Sequence, residues 1–213
     1  MDKLILEMLF IAVILNIENI QAFQFLISRP SSAGFLIALP AIIAYKSNPL
    51  IYPFIMDSFT CGLIMELIII DFNPVGGTII PNGVIGAAIS SLLLASGCPL
   101  PIAFFSGFLC AFLYSKIDFF MRTKRNNWNF AIEKEISQGK INPGKWIFFS
   151  ILLEMAVSAI FLISLFYLLA YSLPFIARFN YVNQSFNAAF YATIFIGLFS
   201  LFFRLKNQVE KNG

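Results

Sequence analysis

Glu66 stands in a run of aliphatic side chains, and the residues after it are of the kinds that hold a polar ligand. The stretch 66–83 reads ELIIIDFNPVGGTIIPNG: a carboxylate, then Asp71, Asn73, Pro74, Gly76, Gly77, Pro81 and Asn82. An ionisable group within a membrane helix costs about 2.5–3.5 kcal/mol on insertion scales and is kept facing a cavity or a partner. Ser58, Gly62 and Glu66 recur every four residues. They therefore share one small, polar helix face that another group can approach closely. Two readings of Glu66 are open: a hydroxyl-binding carboxylate for a polar solute, and a structural hydrogen bond between helices. Pro74 and Pro81 break helices, Gly76 and Gly77 permit sharp turns and close backbone approach, and Asn73 and Asn82 both donate and accept. Broken backbone at membrane depth is tolerated only inside protein or along a watery cavity, where it offers free N–H and C=O groups to a ligand. Amides and carboxylates with no cation nearby suit an uncharged polyol better than an anion. The plain alternative is a loop at the membrane surface.

Further polar residues lie elsewhere. Glu18, Gln21, Gln24 and Ser28 fall within one wedge of a helix, lining a path or facing an interface, and Arg29-Pro30 ends that helix with Arg29 reaching toward headgroups. Glu154, alone in FFSILLEMAVSAIF, is expected to pair with a polar group on the first helix or on a partner. Gly83, Ala87 and Ser91, with Gly86 and Ser90 beside them, form a small-residue helix suited to close packing. Cys61, Cys98 and Cys110 lie in apolar segments without metal or CxxC spacing and read as small buried residues. With no histidine in the chain, a histidine phospho-acceptor, a histidine metal site and a Ser-His-Asp triad are excluded. No catalytic residue, metal site or cofactor is expected on this chain.

The elements that must position these residues are membrane helices. Hydrophobic residues make up 59% of the 213, charged residues 12%, and mean hydropathy is +0.84. The apolar runs are continuous rather than alternating, which excludes a barrel. Segments 4–27, 33–55, a broken pair 57–72 and 78–97, 100–121, 147–171 and 186–204 are the candidate spans. The expected fold is all-α: one polytopic membrane domain, 1–213, of about six to seven transmembrane or re-entrant helices with a broken-helix loop near 57–83. The first apolar run lacks a basic leader and a small-residue cleavage site, so it is not a cleavable signal. Residues 122–146 form the one clear hydrophilic loop, rich in Lys and Arg, and the tail FRLKNQVEKNG is also basic. The positive-inside rule predicts both to be cytoplasmic. The net charge of +3 is this asymmetry, with no sign of nucleic-acid binding.

FQFLISRP followed by GLIMELIIIDFNPVGGTIIPNGVIGAAISS resembles the membrane subunit IIC of the mannose/fructose/sorbose family of the bacterial phosphoenolpyruvate-dependent sugar phosphotransferase system. The matching positions are Gln24, Phe25, Arg29 and Pro30; Gly62 and Glu66; and Pro74, Val75, Gly76, Gly77, Pro81 and Asn82, the last standing where the family carries Asp. The match runs without a gap from Gly62 to about Ser91 and covers the first 121 residues loosely. Residues 147–213 resemble a shortened C-terminal helical part. The resemblance implies a permease subunit in the bacterial cytoplasmic membrane. It would work in an oligomeric complex with a second membrane subunit, IID, and soluble IIA and IIB, and IIB would phosphorylate the hexose or amino sugar. Glu66, Asn73 and Asn82 would bind sugar hydroxyls, Gly76 and Gly77 would let backbone line the site, and Gln24 would lie on the path. The alternatives are a solute-binding membrane subunit of an ATP-driven importer, and a non-transporting, decayed or repurposed IIC-like protein.

Overall fold

A computed structural model describes residues 2–16, 29–44, 51–69, 80–139, 143–176 and 178–212. They form eight helices: α1 (Asp2–Leu15), α2 (Pro30–Ala44), α3 (Ile51–Ile69), α4 (Gly83–Ala95), α5 (Leu100–Asn126), α6 (Trp128–Ser137), α7 (Pro143–Ile176) and α8 (Asn180–Asn212). No strand occurs among the described residues. Stretches of α3, α5, α7 and α8 are long and apolar enough to cross a membrane, while α2 and α4 are shorter apolar helices.

Three expected boundaries are corrected. The run 33–55 is not one span: it divides between α2, which ends at Ala44, and α3, which begins at Ile51. Pro53 falls in the first turn of α3, where a missing N–H costs nothing. Consequently α3 is not the half-spanning piece expected of 57–72 but an unbroken helix of 19 residues. The hydrophilic stretch 122–146 is likewise mostly helical, holding the end of α5, all of α6 and the start of α7. Gly139, just past the end of α6, takes the left-handed φ of 71°.

The centre of the bundle is α4, which touches α1, α2, α3, α5 and α7. Every residue from Gly83 to Leu93 is buried. The small residues make this possible. A Cβ on Gly107 of α5 would overlap Ser90 Oγ and the Gly86 carbonyl, and one on Gly86 would meet Ala111 Cβ at 3.1 Å. Ser90 Oγ donates to the Ala103 carbonyl at 3.0 Å across the same seam. Around this core, α7 packs on α1, α4 and α5, and α8 packs on α3 and α5. Their outer faces expose Leu152, Ile160, Leu168, Phe195, Phe199 and Phe202, an apolar surface of the kind that meets lipid.

Candidate functional site

The Ser58–Gly62–Glu66 face of α3 is filled by α2. A Cβ on Gly62 would land on the Pro30 carbonyl oxygen, with the carbonyl carbon at 2.7 Å and Ser31 Cα at 2.8 Å. One turn along, a Cβ on Gly34 would land on the Ser58 carbonyl oxygen. Two helices can approach so closely only where one of them lacks a side chain. Pro30 is wedged further, its ring lying against Gly83 at the start of α4, beside Ile69 of α3. The N-termini of α2 and α4 therefore converge on the C-terminal end of α3.

This wedge places the first residues of α2 on Glu66. Its Oε1 lies 3.3 Å from Arg29 Nη1, and its Oε2 accepts a hydrogen bond from the Ser31 hydroxyl. The partial positive charge of the α2 N-terminus adds a third favourable term. The expectation of a carboxylate with no cation nearby is thus overturned: Arg29, which the sequence suggested would reach for headgroups, pairs with it. Arg29's side chain remains 53% exposed and Glu66's 25%, so the pair is within reach of a ligand. A carboxylate beside a guanidinium supplies an acceptor and donors side by side, which two neighbouring hydroxyls can satisfy together.

Asn82 sits at the head of α4. Its Oδ1 accepts from the Ile85 N–H at 3.1 Å, making it the N-cap. Its backbone N–H is shared by Ser115 Oγ at 3.1 Å and the Ala111 carbonyl at 3.2 Å. Its Nδ2 donates to Asn16 Oδ1 at 2.9 Å, and Asn16 Nδ2 in turn donates to the Tyr114 hydroxyl at 2.9 Å. Both amide atoms of Asn82 are thus already engaged, each keeping capacity for one further bond. Asn16, Tyr114 and Ser115 are all buried. None was singled out from sequence; the only signal was an asparagine closing the apolar α1 and a hydroxyl pair mid-way along α5. Gln24, Asn73, Gly76 and Gly77 lie outside the described residues, as do Glu18, Gln21, Ser28 and Asp71.

A second polar cluster joins α5 to α7. Glu154, buried, has its Oε2 3.6 Å from Arg125 Nη1, which also donates to Ser150 Oγ at 3.3 Å. Asp118 lies 3.9 Å from Arg125 and 3.0 Å from Arg122. A cation from the end of α5, which the sequence did not suggest, is thus among the partners of Glu154. Two guanidiniums and two carboxylates balance, so each buried charge has its counter-ion. Comparison with family models, curated proteins and solved structures finds no match to this chain.

Proposed function

We propose that this chain is a IIC-like sugar permease subunit of a phosphoenolpyruvate-dependent phosphotransferase system in the bacterial cytoplasmic membrane. The observation that carries the reading is convergence. Three separate pieces of the resemblance, Arg29-Pro30, Gly62 to Glu66 and Asn82-Gly83, meet around the Pro30 ring. Glu66 and Arg29 bind adjacent hydroxyls of a hexose or amino sugar, with Asn82 using its remaining hydrogen-bonding capacity. Asn73, Gly76, Gly77 and Gln24 complete the proposed site. IID shares the pathway, IIA and IIB relay the phosphoryl group, and no covalent step falls on this chain. The basic corner around 122–146 and the C-terminus face the cytoplasm.

The test is phosphoenolpyruvate-dependent sugar phosphorylation by vesicles holding this chain and its IID, supplied with the soluble relay proteins and a panel of sugars. Glu66→Gln should weaken sugar binding at least about tenfold, on the scale of one charge-assisted hydrogen bond of about 1.5–3 kcal/mol. No phosphorylation beside an active control permease would refute the reading. A second reading is favoured by the tight α2–α3 seam: Arg29, Ser31 and Glu66 as a purely structural staple in a non-transporting relative. Phosphorylation unchanged in Glu66→Gln, with a lowered melting temperature, would select it.

A further inference from the structure

We propose that the corner formed by the end of α5, α6 and the start of α7 is a binding surface for anionic phospholipid headgroups. Between residues 116 and 149 the chain carries seven cations against three acids. Asp118 and Arg125 are turned inward to the Glu154 cluster, while Lys116, Lys124 and Lys134 are exposed. Both tryptophans of the chain are here. The rings of Trp128 and Trp146 are 5.8 Å apart, Trp128 lies 6.0 Å from Phe149, and Trp146 Nε1 donates to Glu135 at 2.9 Å. Tryptophan with its polar edge satisfied and its ring among apolar groups is the residue of the membrane–water boundary.

The aromatic and cationic groups are layered. Lys124 Nζ lies 5.4 Å above the Phe120 ring, and Lys145 Nζ lies 5.7 Å from the Trp146 ring. No residue of α6 is buried, yet Phe130 is 77% exposed and Ile136 52%. Phe119 and Phe120 on α5 and Ile147 and Phe148 on α7 are exposed as well, at the ends of the long apolar helices that flank α6. An acidic soluble protein would account for the lysines but not for so many exposed apolar side chains at the ends of membrane-length helices. A bilayer whose surface carries negative charge accounts for both. This surface does not depend on the sugar reading.

Because both tryptophans sit at this corner, their emission reports on it alone. The full chain is reconstituted in vesicles of mixed phosphatidylcholine and phosphatidylglycerol, with one lipid or the other brominated on its acyl chains. Both brominated lipids should quench, with phosphatidylglycerol enriched about fivefold around the tryptophans, the preference one surface lysine confers. Lys124→Gln combined with Lys134→Gln should bring that ratio toward one while quenching persists, which separates loss of the headgroup contact from loss of fold. Equal quenching by the two lipids in the unmodified chain would overturn the proposal. Strong quenching by aqueous iodide with none by bromine would also overturn it, leaving the corner to an acidic protein.

Discussion

Gly62→Ala is the sharpest test of how the site is assembled. The added Cβ meets only backbone: the Pro30 carbonyl group and Ser31 Cα, the last at 2.8 Å. No side chain can rotate away, so α2 must retreat. Moving the Pro30 carbonyl carbon from 2.7 Å to an ordinary contact of 3.4 Å needs about 0.7 Å, and the oxygen needs more. A shift of that size along the same direction would open the 3.3 Å Arg29–Glu66 pair to about 4 Å and cost the Ser31 bond. Overpacking of this kind costs about 1–3 kcal/mol, here about 3 because the obstacle is backbone. Alanine returns about 1 kcal/mol of helix propensity. The net loss of about 2 kcal/mol lowers the melting temperature by about 4–8 °C for a chain of this length. Gly197→Ala is the matched control: its Cβ would find Leu67 Cβ at 3.4 Å, an ordinary contact, so propensity acts alone and the variant should melt at or slightly above the parent. Both are read by thermal unfolding of the detergent-solubilised protein. Equal melting of the two variants would refute the close α2–α3 seam and the placement of Arg29 on Glu66.

Three further outcomes follow from the same geometry. Glu154→Ala should cost about 3–5 kcal/mol, the toll of breaking a buried pair, and Arg125→Leu added to it should recover part of that; a double variant as unstable as the two losses summed would show the groups uncoupled. Asn82→Ala removes a helix cap worth about 1 kcal/mol and strands the Asn16 amide, for a total of about 2–3 kcal/mol, whereas Asn82→Asp keeps the cap but loses the donor to Asn16 Oδ1 and should melt between the parent and Asn82→Ala; the reverse order of the two variants would refute the capping role. Burial pushes the Cys98 thiol up from 9.0 to about 11, so the reactive thiolate is scarcer at neutral pH. At pH 8 its labelling by a soluble maleimide should run about 100-fold slower than an ordinary protein thiol and keep rising with pH toward 11. A rate that levels off near pH 9 would contradict the burial.

The helical membrane class was legible because it rests on composition and on unbroken apolar runs. Packing of α4 was legible too, since small residues at helical spacing admit few other uses. Helix ends were less so. Pro53 reads in the sequence as a break, yet it stands in the first turn of α3, where proline is tolerated, so the start of that helix was not marked. The partners of Glu66 and Glu154 could not be read at all. Arg29 lies 37 residues from Glu66, and Arg125 belongs to a stretch whose basic composition suggested a solvated loop. Pairing across helices depends on which faces meet, and hydropathy carries no information about that. Asn82 shows the limit from the other side. Its amide was legible as a polar group near a break, but its present partners, a cap on one side and Asn16 on the other, follow from the position of α1.

The depth of the site follows from α5, which carries both polar clusters. Ala111 and Ser115 hold the backbone N–H of Asn82, and Asp118, Arg122 and Arg125 begin one turn further on. Taking the basic corner as one membrane boundary, the seven residues from Ser115 to Arg122 put the head of α4 about 10 Å inside it at 1.5 Å per residue. From there the 13 residues of α4 run about 20 Å in the opposite direction. The two lengths sum to the thickness of a hydrocarbon core, about 30 Å, and the chain then turns at exposed Ser96 and Gly97. A short helix can therefore be fully used without being a failed span, because the polar groups around Glu66 and Asn82 take up the remaining third of that thickness. Glu66 is tolerated at that depth because Arg29, the Ser31 hydroxyl and the N-terminus of α2 meet its charge, and the half-exposed guanidinium can draw water with it.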